Sequence, residues 1–261
     1  MTDPRYLSGH HAIVTGGGRG IGAAVALELA RLGANLTIMG RDRARLDAHA
    51  EVVAKAHGVE VAAVPCDVSD EASVAEAFRV ARETFGVPYV LVNNAGQAEG
   101  AAFTDTSLRQ WNQMIAVNLT GTFLCMRQVV PAMVEAKAGR IVNIASISGL
   151  VAFQRVSAYT ASKHGVIGLT KVVALETAAH GITVNAVCPA YVDTDMAERA
   201  VQTIARSGRT EDEARKMILR TIPRGSLITP DEVASAVAWL CSPGASGVTG
   251  EALTVAGGGA L

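Results

Sequence analysis

Three side chains in the middle of the chain have types and spacing that could do chemistry. Tyr159 and Lys163 stand four residues apart in a stretch with helical spacing, so both side chains share one helix face. A free phenol, with a pKa of about 10, is a poor base at neutral pH. A neighbouring ammonium favours the phenolate and lowers that value toward the working range. Such a phenol can protonate a carbonyl oxygen or deprotonate an alcohol. Ser146 precedes Tyr159 by thirteen residues, and its hydroxyl can hold the same oxygen as charge develops there. The competing reading of the pair is a lysine packed over a half-buried tyrosine.

A second motif supplies what such a proton donor would need. Thr15-Gly16-Gly17-Gly18-Arg19-Gly20-Ile21-Gly22 falls between an apolar strand and a helix. Glycines there let the backbone turn tightly and let a pyrophosphate approach the N–H groups of the helix start, where the dipole favours anions. The spacing is G-x-x-x-G-x-G. Selectivity is read from the end of the second strand, where NAD-selective sheets carry a carboxylate for the ribose 2′-OH. Here that strand ends Ile38-Met39-Gly40-Arg41. Arg41 stands where a 2′-phosphate would lie, and Arg19 could close on it from the other side. Two guanidiniums suit phosphate through forked, charge-assisted hydrogen bonds. Asp42 works better as the N-cap of Arg43–His57. NADP(H) is therefore favoured, with NAD(H) as the alternative.

The elements that must position these residues alternate along the chain. Strands are predicted at His11–Thr15, Asn35–Met39, Val59–Val64, Tyr89–Val92, Arg140–Ala145, Thr183–Val187 and Ala252–Val255. Helices are predicted at Ala23–Leu32, Arg41–His57, Asp70–Phe85, Ser107–Lys137, Ser157–His180, Asp193–Arg220 and Pro230–Leu240. Apolar strands alternating with helices mean βαβ units, hence an α/β fold: one doubly wound parallel sheet of about seven strands with helices on both faces. No linker or repeat divides residues 1–261, and a chain of this length can bury roughly three quarters of its unfolded surface.

Composition narrows the class. Apolar residues make up 49% and charged residues 18%, with a net charge of −1, so no nucleic-acid or anionic-membrane surface is expected. Cys66, Cys125, Cys188 and Cys241 are scattered without metal-ligand spacing, and buried free thiols and no metal are expected. Met1–Ser8 has no targeting signature, and no apolar run approaches the roughly 20 residues of a membrane span. The expectation is a cytoplasmic, enzyme-sized domain.

Five motifs occur in a shared order: the glycine loop, Asn93-Asn94-Ala95-Gly96 after the fourth strand, Asn118 in the long helix, Ser146, and Tyr159 with Lys163. In this the chain resembles the short-chain dehydrogenase/reductase family over essentially its whole length. The resemblance implies a Rossmann-type fold and a hydride moved between a nicotinamide cofactor and a carbonyl or alcohol carbon. It implies that Asn118 anchors a proton relay through Lys163, which also holds the nicotinamide ribose. Asp67 and Val68 resemble the pair flanking the adenine, and Asn94, Ala95 and Gly96 a further part of the cofactor site. Pro189-Ala190-Tyr191-Val192-Asp193-Thr194 resembles the stretch that binds the carboxamide through the Val192 backbone and the Thr194 hydroxyl. Two departures stand out: Ala190 where the family has glycine, and Ala256 where an Asp is common.

The resemblance also suggests a substrate lid over about residues 191–227 and a homotetramer. The apolar stripe Val117, Phe123, Met126, Val130 and Met133 could supply an interface or could face the sheet. Tyr191, Met196, Gln97, Phe153 and Gln154 are candidate pocket liners by position only. Local phrases are similar to those of 3-oxoacyl-thioester and polyketide ketoreductases, and nearly as similar to those of 3-hydroxybutyrate dehydrogenases. The reading is an NADPH-dependent reductase of a 3-oxoacyl thioester or similar ketone. Its alternatives are an NAD-dependent dehydrogenase of a 3-hydroxy acid or secondary alcohol and, remotely, a non-catalytic nucleotide sensor.

Overall fold

The computed structural model describes residues 5–259, so the first four residues of the Met1–Ser8 segment lie outside it. Seven parallel strands form one sheet in the order β3-β2-β1-β4-β5-β6-β7. They are β1 (His11–Thr15), β2 (Asn35–Gly40), β3 (Val61–Pro65), β4 (Pro88–Asn93), β5 (Gly139–Ile144), β6 (Ile182–Pro189) and β7 (Ala252–Val255). Every residue of β1, β5 and β6 is buried, as expected of strands covered on both faces. The order reverses between β1 and β4, and the crevice outside the strands' carboxyl ends at such a switch point is where ligands bind.

Helices cover the two faces. On one lie α1 (Gly20–Arg31), α2 (Arg43–His57) and α9 (Pro230–Cys241), whose Val25, Leu29, Leu46, Val237 and Leu240 share a core with β1 and β2. On the other lie α3 (Glu71–Phe85), α5 (Gly121–Ala136) and α6 (Ser157–Thr177), contributing Phe78, Leu124, Val129, Met133 and Ala174. Local signals fix the ends: the Asp42 side chain accepts from Arg45 N–H to cap α2, and Gly58 ends it in the left-handed conformation at φ 65°.

Two segments depart from the sequence expectation. Ser107–Lys137 is three pieces, α4 (Leu108–Ile115), a π-turn over Ala116–Thr120, and α5. Asp193–Arg220 is two helices, α7 (Asp195–Ala205) and α8 (Glu211–Leu219). Gly208 breaks it at φ 93°, and a Thr210–Glu213 capping box starts α8. The apolar stripe resolves in favour of the sheet: Met126 and Met133 are buried, Val117 and Val130 pack against the same core, and of the five Phe123 alone is exposed. Among the described residues, no helix is long and apolar enough to cross a membrane and no cluster of potential ligands could hold a metal. All four cysteines are free and buried.

Candidate active site

The glycine loop is held in shape from beneath. Thr15 Oγ1 accepts from the N–H groups of Asn94 and Ala95, each at 3.0 Å. Asn94 Nδ2 donates to the carbonyls of Thr15 at 2.9 Å and Gly16 at 3.2 Å. The loop thus hangs on the segment after β4. A Cβ at Gly22 would lie 2.2 Å from the Gly16 carbonyl oxygen and 2.4 Å from Asn94 Nδ2, so no larger residue fits. Gly16 itself adopts φ +66°. Helix α1 begins without a side-chain cap and without an acidic residue in its first turn, leaving its N–H groups for an anion. These features fit a dinucleotide pyrophosphate, with Gly20 and Ile21 at the helix start.

At the carboxyl end of β2, Arg41 is exposed immediately after the strand. The Asp42 carboxylate is spent on the α2 cap, 3.1 Å from Arg45 N. No carboxylate therefore occupies the tip of β2 itself. Asp67 accepts from Ser69 N–H at 3.0 Å and from Ser69 Oγ at 2.6 Å. These bonds hold its carboxyl below the ordinary range, with the Arg41 charge contributing. Val68 is buried where α5 begins, and a Cβ at Gly121 would lie 2.9 Å from its Cγ2. Arg19 pairs with Asp195 at 3.4 Å.

At the other end of the crevice, Ser146, Tyr159 and Lys163 converge. Ser146 follows β5, and its Oγ accepts from Ser148 N–H at 3.1 Å. Tyr159 and Lys163 lie on the first two turns of α6, with Lys163 Nζ 5.7 Å from the centroid of the Tyr159 ring. Nζ donates to the Ile144 carbonyl at 2.8 Å, and the side chain is buried. Burial pushes the Lys163 pKa down to about 8. Burial also raises the Tyr159 phenol above its ordinary value, with the Ser146 hydroxyl pulling the other way. The expected lowering of the phenol is thus supplied here by Ser146, and burial outweighs it.

Asn118 sits in the π-turn, a device frequent at functional sites. Its Oδ1 accepts from Gln97 N–H at 2.9 Å, and its Nδ2 donates to the Gln97 carbonyl at 3.0 Å and to Ser162 Oγ at 3.1 Å. Ser162 Oγ in turn donates to the Tyr159 carbonyl at 2.7 Å. The amide thereby ties the loop after β4 to the helix bearing Tyr159. A Cβ at Gly96 would lie 3.2 Å from Asn118 Oδ1 and 3.7 Å from Lys163 Nζ, so the bare backbone there keeps the three close.

Beyond β6, Pro189 is buried, Val192 forms a bridge with Ile228, and Thr194 Oγ1 donates to the Val192 carbonyl at 3.2 Å. A Cβ at Gly20 would meet Thr194 Cγ2 at 3.2 Å, so this segment closes against the glycine loop. Ala190 is not among the residues with positive φ, so the departure from glycine demands no unusual backbone there. Tyr191 packs with Val201, Ala214 and Ile218 of α7 and α8, while Met196 and Gln154 are exposed. Sequence reasoning did not single out Thr15 as the anchor of the loop, nor Ser162 as the partner of Asn118. It also missed Cys188 as a neighbour of the site: its buried thiol faces the Ser146 backbone N–H, and burial pushes its pKa up to about 11.

A glycine loop that fits a dinucleotide and a Ser146–Tyr159–Lys163 cluster lie at the two ends of one crevice, and the comparisons with known proteins give an oxidoreductase. A family model described as enoyl-(acyl carrier protein) reductase matches residues 16–259. D-beta-hydroxybutyrate dehydrogenase of Cupriavidus necator is 39% identical, the match covering 97% of this chain and 98% of the relative. The 3-oxoacyl-(acyl-carrier-protein) reductase of Aquifex aeolicus is 37% identical, with coverage of 97% and 98%. Among solved structures, a variant of actinorhodin polyketide ketoreductase with NADPH is similar at a TM-score of 0.92 and 38% identity, covering 95% of this chain and 96% of that one. The chain belongs to the short-chain dehydrogenase/reductase family.

Proposed function

We propose that the protein is an NADPH-dependent reductase of a 3-oxoacyl thioester or similar ketone, with Tyr159 as general acid. The observation that carries this reading is the meeting of the Ser146 hydroxyl, the Tyr159 phenol and the buried Lys163 side chain at one end of the crevice. A phenol held above its ordinary pKa keeps its proton at neutral pH, which suits a donor to a carbonyl oxygen better than an acceptor from an alcohol. Ser146 holds that oxygen, Tyr159 delivers the proton, and Lys163 replaces it, with Asn118 anchoring the relay. The cofactor, when bound, supplies the hydride. Gly16, Gly20, Ile21 and Gly22 cradle its pyrophosphate, and Asn94, Ala95 and Gly96 line the path between its halves. Asp67 and Val68 flank the adenine, and Lys163 holds the nicotinamide ribose. Pro189, Val192 and Thr194 receive the carboxamide, beneath a lid of α7 and α8. A homotetramer is part of the proposal, supported by the exposed apolar side chains of Phe103, Leu108 and Leu175.

Arg41 at the bare tip of β2 supports NADPH, and the test is a fluorescence titration with NADPH and NADH on the wild type and on Arg41→Ala. Tight NADPH binding that weakens at least about tenfold in the variant is expected for a charge-assisted phosphate contact. The second reading, an NAD-dependent dehydrogenase of a 3-hydroxy acid, is favoured by the likeness to D-beta-hydroxybutyrate dehydrogenase and by the engagement of Arg19 with Asp195. Equal or tighter NADH binding, indifferent to Arg41, would transfer the assignment to it.

A further inference from the structure

The glycine loop and the lid approach closely, a Cβ at Gly20 falling 3.2 Å from Thr194 Cγ2, and a charged contact joins them there, Arg19 with Asp195. The two charged residues are 176 positions apart and belong to opposite walls of the crevice. Arg19 is the extended residue immediately before α1, at φ −161° and ψ 166°, within the glycine loop whose free helix-start N–H groups suit a dinucleotide phosphate. It meets Asp195 through a single nitrogen at 3.4 Å, with the side chains 52% and 69% exposed. That geometry is neither forked nor buried, and an exposed pair of this kind is weak.

We propose that Asp195 sets cofactor preference by competing with the ribose 2′-phosphate for Arg19. The proposal rests on the NADPH reading above. A 2′-phosphate offers the guanidinium a fork of charge-assisted bonds that outweighs one long contact to a solvated carboxylate. Asp195 itself loses little on release, because it lies in the first turn of α7, where the helix dipole favours a carboxylate. A 2′-hydroxyl offers Arg19 no anion, so NADH leaves the pair intact. Asp195 therefore lowers affinity for NADPH, by the strength of the pair, and leaves affinity for NADH nearly untouched.

Dissociation constants of NADPH and NADH, read by fluorescence on four proteins, decide the matter: the wild type, Asp195→Asn, Arg19→Ala and the double variant. Asp195→Asn is expected to tighten NADPH by about two- to fivefold and NADH by less than about 1.5-fold. In the Arg19→Ala background the same change is expected to do nothing, because the contested group is gone. An unchanged NADPH constant in Asp195→Asn would overturn the proposal. So would equal tightening of both cofactors, or tightening that persists without Arg19, since each would mark a general effect of removing a negative charge. Absence of NADPH binding to the wild type would instead overturn the cofactor reading beneath it.

Discussion

The two ends of the sheet both bury titratable groups, yet only one end converges on a crevice. At the amino ends, His11 is buried with Nε2 2.9 Å from Thr37 Oγ1 and Nδ1 3.0 Å from the Gly86 carbonyl. Burial pushes its pKa down to about 4. Nearby, Arg140 donates to the Gly139 and Gly181 carbonyls, and His10 stacks on Tyr89 at 4.1 Å. At the carboxyl ends, burial displaces Lys163, Tyr159 and Cys188 from their ordinary values in the same way. A shifted pKa therefore does not mark the site by itself. The placing of crowded glycines separates the ends: at the carboxyl ends Gly16, Gly17 and Gly22 are pressed together within one loop, whereas at the amino ends Gly33, Gly139 and Gly181 are pressed singly, each near the start of a different strand. One end gathers its crowded glycines into a single loop that opens on the crevice, and the other scatters them over three strand starts.

The sharpest way to break this contrast is to remove chemistry without removing structure. Tyr159→Phe is expected to lower kcat by about 10³-fold, within the range of general acid catalysis, while NADPH affinity stays within about twofold. Lys163→Met is expected to lose both, because the same side chain is assigned to ribose and relay. Steady-state kinetics beside fluorescence titration separates the two outcomes. A Tyr159→Phe protein that kept more than about a tenth of its activity would remove the general acid and leave the carboxyl end no more functional than the amino end.

The amino end should instead betray itself in stability. His11 has a folded pKa of about 4 against an unfolded value of 6.5, so between those values the unfolded chain binds the extra proton. Its contribution is fully present above pH 6.5 and is lost as the pH falls toward 4. The loss is about 1.4 kcal/mol per pH unit, or about 3 kcal/mol over the window. Urea unfolding from about pH 7 to about pH 4.5 should show that slope, and His11→Gln should be less stable near neutral pH yet flatter below it. An unchanged slope in His11→Gln would assign the acid limb to other groups.

How far the sequence could be read follows the same division. The meeting of Ser146, Tyr159 and Lys163 was legible in side-chain type and spacing, and their chemistry is part of the proposal. The glycine loop was legible because backbone permissiveness has one residue to express it. The π-turn at Asn118 was not, since no residue type encodes it: it follows from the amide being tied at once to Gln97 and Ser162. The break between α7 and α8 had a written signal in Gly208 and the Thr210–Glu213 capping box, and the even polarity of the segment masked it. The Arg19–Asp195 contact joins residues whose proximity only the closed crevice creates.

The smallest effect concerns the one family glycine this crevice does without. Ala190 donates its N–H to the Val255 carbonyl at 3.1 Å and packs against the core on the α1 and α9 face. Because its φ is not positive, the methyl group there costs no strain, and glycine would only add freedom to the unfolded chain. Ala190→Gly is therefore expected to destabilise by about 0.5–1 kcal/mol, lowering Tm by roughly 1–4 °C, with cofactor affinity unchanged within about twofold. Calorimetry and titration on the same preparation test both halves. Tighter cofactor binding in the variant would mean that the Ala190 methyl group crowds the nicotinamide end, and that this stretch is shaped by exclusion as the glycine loop is shaped by access.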